Sequence, residues 1–163
     1  MAKLQFVIAL PEYPEGTSPP AWRFAPLMIA LEALCQIDEW QLAKTGPYPS
    51  LYSSGVVYQA EPEGQEDWCD IPTVLAQGWG DCEDLACWRV AEYRRMGIHA
   101  VPYIKWKHIP YAELVMLAQT GQWVPPPSGI PHDGIILIHV MVQLPDGSIE
   151  CPSARLGMKG EYS

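Results

Sequence analysis

The sequence predicts an α+β fold. Residues from about Trp22 to Lys44 repeat apolar side chains at helical spacing, and Gly78-Trp79-Gly80-Asp81 leads into a second helix. Gly134 to Leu144 is nearly continuous apolar sequence, as expected of a buried central strand. Pro145-Asp146-Gly147 then turns the chain into another strand, Ser148–Pro152, which makes that pair antiparallel. At 163 residues the chain has room for one domain with a real core.

Composition narrows the function classes. Hydrophobic residues make up 48% of the chain, so disorder does not describe it as a whole. A net charge of −9 argues against binding nucleic-acid phosphates or an anionic membrane; solubility is its simplest use. The start, Met1-Ala2-Lys3-Leu4, leads into a short apolar run broken by Pro11. It lacks the length and cleavage site of a signal peptide. No apolar run reaches transmembrane length. Five cysteines, an odd number with no Cys-x-x-Cys pair, suggest neither a disulfide framework nor a zinc site. The expectation is a protein made in the reducing cytoplasm, without metal or cofactor.

Taken in order, Leu4–Leu10 reads as a strand and the four prolines of Pro11–Pro20 as loop. In the first helix, Pro26 fits only near the first turn. Leu27, Ala30, Leu31, Leu34, Ile37 and Leu42 approximate its apolar face, with Cys35 in the packing, and Gly46-Pro47 end it. A short strand is expected at Gly55–Gln59 and a short helix at Pro72–Gln77. The next helix runs from Cys82 through Leu85, Trp88, Ala91 and Tyr93 to Met96, where Gly97 is a left-handed stop. Arg89, Arg94 and Arg95 suit its C-terminal dipole or form a solvated face. His99–Trp106 alternates as a strand that Pro102 interrupts early. His108–Pro131 is a long proline-rich excursion with a helix at Tyr111–Gln119, and loops this long are often functional.

The Pro-Asp-Gly turn predicts a three-residue loop with a glycine bulge. That register puts Leu144 opposite Ser148 and Met141 opposite Cys151. Cys151 then shares the face of His139 as a diagonal neighbour, and Glu150 points the other way. A two-residue loop swaps Cys151 and Glu150. His139 is the only ionisable residue of its strand, and burying it is costly without a partner.

Chemistry concentrates at Gly78-Trp79-Gly80-Asp81-Cys82-Glu83-Asp84-Leu85-Ala86. Asp81 can cap the helix and Asp84 stands where a reciprocal cap belongs. Cys82 then takes the first helical position, where unpaired N–H groups and the helix dipole favour a thiolate. Cys87 follows about 140° around the helix and does not share that site. His99, His108 and His132 read as satisfied surface or loop residues. Trp68, Trp79 and Trp88 suit packing better than a cleft.

These residues resemble the transglutaminase-like cysteine protease superfamily, a branch of the papain-like fold. The matching segments are Gly80-Asp81-Cys82-Glu83-Asp84-Leu85-Ala86, Tyr93-Arg94-Arg95-Met96-Gly97-Ile98-His99-Ala100, and His139 within Ile138-His139-Val140-Met141-Val142. Ile149-Glu150-Cys151-Pro152-Ser153 resembles the family's acid segment. The likeness spans roughly Trp68 to Met158, with the N-terminal strand and helix of 1–47 packed onto that core. The end of the chain, Glu150 to Met158, also resembles small transglutaminase-like proteins of phages.

The resemblance implies a nucleophile helix packed on an antiparallel sheet. It makes Cys82 the nucleophile and His139 its base, acting on an amide or peptide carbonyl through a thioester. The Cys82 N–H is then one oxyanion donor, and Tyr58, Gln77 or Trp79 supplies the second. The chain departs from the family at the third position, where an Asp before Pro is replaced by Cys151. Glu150 is a substitute acid if the register slips, and Asp146 a remoter one. Zinc held by Cys82, His139 and Cys151 is disfavoured, because the outer members of a triad address opposite ring nitrogens.

Two functions follow as expectations. One is a peptidase, amidase or acyltransferase acting on a protein or peptide substrate. The other is a catalytically impaired fold serving as a structural or assembly protein, with phage structural proteins as partners and a phage particle as its location. It is motivated by Cys151 and by proline-rich arms at Pro11–Pro20 and Pro125–Pro131. A metal-binding module is a third and weaker reading, resting on cysteine count alone.

Overall fold

A computed structural model describes residues 24–61, 67–122, 124–125 and 129–159. The expected strand Leu4–Leu10 and loop Pro11–Pro20 lie outside the described residues. Elements follow the order α1 (Ala25–Lys44), β1 (Val57–Tyr58), α2 (Ile71–Gln77), β2 (Trp79–Gly80) and α3 (Cys82–Arg95). Then come β3 (Val101–Ile109), α4 (Tyr111–Gln119), β4 (Ile135–Gln143), β5 (Ile149–Glu150) and α5 (Pro152–Arg155). The fold is α+β, with a parallel pair β1-β2 and a three-stranded sheet ordered β3-β4-β5. No helix among the described residues is long and apolar enough to cross a membrane.

The described residues fall into two compact units. The smaller takes residues 24–27 and 106–138 and the larger 28–105 and 139–159. In the smaller unit, the Phe24 and Trp106 rings lie 5.9 Å apart and Tyr111 stacks on His132 at 5.2 Å. His108 is satisfied by the Asp133 carbonyl at 2.9 Å from Nε2. Gly134 has φ of 76°, and a Cβ there would stand 2.2 Å from the Ile109 carbonyl oxygen. Only glycine permits that backbone approach.

The larger unit holds two core clusters. Leu31, Leu34 and Cys35 of α1 meet Ala86, Cys87 and Val90 of α3 and Val140 and Val142 of β4. On the other side of α3, Leu85 and Trp88 pack with Leu51, Val56, Ile71 and Val74. Helix α3 is thus buried on both sides, and Trp88 is core. Two of its three arginines do more than face solvent. Arg89 pairs with Glu92 at 2.7 Å and Glu150 at 3.3 Å, and Arg94 pairs with Glu32 at 2.7 Å.

The hairpin register matches the expectation. Val142 pairs with Glu150 and Gln143 with Ile149, and the Leu144 N–H donates to the Ser148 carbonyl. Gly147 is left-handed at φ 84°, and Asp146 accepts the Ser148 N–H at 2.9 Å.

Three expectations need correction. The buried residues of α1 are Leu31, Leu34, Cys35, Asp38 and Gln41, whereas Ile37 is 48% exposed. Two polar side chains turn inward because they have partners there: Asp38 accepts the Ile71 N–H at 3.0 Å and Gln41 donates to Asp70 at 2.6 Å. Strand β4 is buried only from His139 to Val142, with Leu137 and Ile138 exposed. The last strand stops at Glu150, because Pro152 opens α5.

Candidate functional site

The site lies within the larger unit and is assembled from three places. Asp81 and Asp84 form a reciprocal capping box at the start of α3, with the Asp81 N–H donating to Asp84 at a long 3.4 Å. Asp84 also accepts the Cys69 N–H at 2.7 Å, which ties the preceding loop to the helix mouth. Cys82 is therefore held at the first helical position, half-buried. Its side chain packs against the core cluster that holds Val140, the residue after His139. The helix mouth thus meets the histidine strand.

The second part is the hairpin. Its register brings Cys151 to His139, whose Nε2 lies 3.1 Å from the Cys151 sulfur. That sulfur also accepts the Ala154 N–H at 3.4 Å. The third part is β1, which pairs in parallel with β2, Tyr58 opposite Gly80. The Tyr58 N–H donates to the Leu156 carbonyl at 2.9 Å. This double attachment sets the Tyr58 phenol in the fields of Cys82, Asp81, Glu83 and Cys151. Burial first, then those neighbours, push it up to about 12, so it stays a hydroxyl donor at neutral pH.

Of the three proposed oxyanion donors, Tyr58 is the one whose phenol feels the charge of both sulfurs. Gln77 donates to the Trp79 carbonyl at 2.8 Å and faces Cys69. Trp79 is half-buried in β2.

Electrostatics at Cys82 run against the expected thiolate. Burial, then the charge of Glu83, drives its thiol far above the ordinary range, with Asp81 adding to the effect. The Val140 N–H opposes this without prevailing. The thiol donates to Glu83 Oε2 at 3.0 Å. The helix start does offer N–H groups, but its carboxyls crowd the sulfur. Glu83 was not singled out from the sequence. Its place next to Cys82 in the chain is the signal that could have found it.

The carboxyls themselves are displaced. Burial and the neighbouring Glu83 push Asp81 up to about 8, and burial and Asp81 do the same to Asp84. His139 is lowered by burial and then by Lys105, which favours the neutral imidazole.

Glu150 is not the substitute acid. Its carboxylate accepts from Tyr52 Oη, Tyr93 Oη at 2.5 Å, Arg89 Nε at 3.3 Å and Arg155 Nη1 at 3.1 Å. Burial alone would raise it, but the two tyrosine hydroxyls and Arg89 outweigh burial and hold it below the usual carboxylate range. Asp146 stays in its turn, accepting from Ser148. Cys35 and Cys87 are buried side by side in the core, away from this chemistry. Among the described residues, no three His, Cys, Asp or Glu side chains converge as ligands for a cation.

The arrangement can move a proton between a thiol and an imidazole beside a neutral phenol donor. Compared with known families and proteins, the chain matches no family model, no curated protein and no solved structure.

Proposed function

We propose that this chain is a cysteine-dependent acyl-transfer enzyme acting on an amide or peptide carbonyl. His139 serves as its base and Tyr58 as an oxyanion donor. One observation supports the reading above all: an imidazole nitrogen stands 3.1 Å from a cysteine sulfur. Two sulfurs belong to the region, Cys82 and Cys151, and the family resemblance assigns attack to Cys82. A papain-like, transglutaminase-core arrangement accords with α3 packed against β4, the cysteine opening one and the histidine within the other.

The test is turnover of short peptide amides and 4-nitrophenyl esters. Wild-type protein is expected to cleave them, and His139→Ala to lower kcat/KM by about 10²–10⁴. Release no faster than with protein blocked by iodoacetamide contradicts the reading.

A structural or assembly role on the same fold, as in a phage particle, is the second reading. The acid-lined setting of Cys82 favours it. It expects co-purification with particles and no turnover.

A further inference from the structure

We infer that the attacking sulfur is Cys151, and that Cys82 is the supporting thiol. The inference rests on the reading of the site as a thiol acyl-transfer centre and names its nucleophile. The two cysteines differ in where their hydrogen bonds go. The Cys82 thiol donates a hydrogen bond to the Glu83 carboxylate at 3.0 Å. A proton held that way is not delivered to an imidazole, and a carboxylate beside the sulfur opposes the negative charge that attack requires. Cys151 has the His139 Nε2 at 3.1 Å to take its proton. The Ala154 N–H points at the same sulfur, which then acts as an acceptor. A base and an N–H donor on one sulfur are the surroundings that prepare a thiol for attack.

The fold also holds Cys151 still. The three-residue turn fixes the pairing of Val142 with Glu150, and Cys151 comes next as the cap of α5. Glu150, its neighbour, is anchored by Arg89, Tyr52 and Tyr93 of the larger unit. Pro152 follows at once and stiffens the backbone. Such bracing is what keeps a reacting atom in position. Cys151 is half-buried.

The chemistry balances without an added reactant other than water. His139 Nε2 takes the Cys151 proton. The sulfur attacks the carbonyl carbon, a C–S bond forms, and the carbonyl π pair becomes an oxyanion that accepts from the Tyr58 hydroxyl. The oxyanion collapses, the C–N bond breaks, and the imidazolium gives its proton to the leaving amine. Water, deprotonated by His139, then attacks the thioester and releases a carboxylic acid and the free thiol.

The test is alkylation of the wild-type protein with limiting iodoacetamide at pH 6, with each labelled cysteine located by mass spectrometry. An unassisted thiol is almost wholly protonated at that pH and reacts slowly. Cys151 is expected to react at least tenfold faster than Cys82, and His139→Gln to abolish that lead. Faster labelling of Cys82 overturns the assignment and leaves acyl transfer standing. A Cys151 lead that survives His139→Gln also overturns it, since exposure alone then explains the rate. If neither sulfur outpaces Cys69, the assignment and the acyl-transfer reading fall together. Should the variant not fold, the wild-type ratio still decides between the two sulfurs.

Discussion

The two ends of helix α3 treat carboxyl groups in opposite ways. At its N-terminal mouth, Asp81 and Asp84 lie among other carboxyls, and burial first, then those neighbours, push both up to about 8. Asp38 of α1 shares that fate: burial, then Asp70 and Asp84, push it up to about 8, against the pull of the Ile71 N–H. Further along α3, Arg89 and Tyr93 meet Glu150, and its carboxyl is held below its usual range. Burial raises all of these groups, so donors decide the difference. The contrast bears on the chemistry. A sulfur placed at the acidic mouth is kept as a thiol, whereas the hairpin offers a sulfur with an imidazole beside it.

Breaking the well-paired end is expected to have the larger effect. Glu150→Ala leaves the Arg89 guanidinium and two tyrosine hydroxyls without their shared acceptor. The loss is about 3 kcal/mol, read as a lower urea midpoint at unchanged slope. A midpoint shift of a few tenths of a kcal/mol would show that the network contributes little.

The acidic mouth sharpens the comparison through pH. An unfolded aspartate titrates near about 3.9, while folded Asp38 titrates at about 8. Between those values the folded state holds a proton that the unfolded state has released. Stability from this group is complete below the lower value and is lost as pH rises through the upper one. The wild type is therefore expected to lose stability from pH 5 to pH 9. Asp38→Asn, neutral at every pH, should flatten that fall by on the order of 2 kcal/mol. Glu150 has the opposite sign, and its contribution fades as pH drops below the carboxylate range. Parallel pH curves for wild type and Asp38→Asn would refute a protonated Asp38.

Much of the fold was legible because local chemistry decided it. Asp81 opened α3, left-handed Gly97 followed its end, and Pro145-Asp146-Gly147 set the hairpin register. Helix α4 fell at Tyr111–Gln119 as expected. The face of α1 was harder to read. Ile29, Ile37 and Trp40 point outward while Asp38 and Gln41 point in, so no clean stripe marks the core side. Strands β1 and β2 are two residues each, too short for an alternating pattern, and they pair across the chain. That pairing sets Tyr58 opposite Gly80, just before the start of α3.

The site was legible in its residues and less so in its electrostatics. Cys82, His139 and Cys151 could be named from motif and register. The Glu83 bond to Cys82, and the Arg89 and Tyr52 bonds to Glu150 from 61 and 98 residues away, belong to tertiary structure. Sequence alone gives no view of such long-range donors, and they set which carboxyls ionise.

A single-turnover experiment tests the centre of the account most directly. Protein is mixed with a 4-nitrophenyl ester, quenched in acid and digested, and hydroxylamine-labile acyl groups are mapped by mass spectrometry. The account predicts a thioester on Cys151 that forms in the wild type and is absent from His139→Ala. An absence of acyl groups on both Cys151 and Cys82, with nitrophenol released no faster than in buffer, would contradict it.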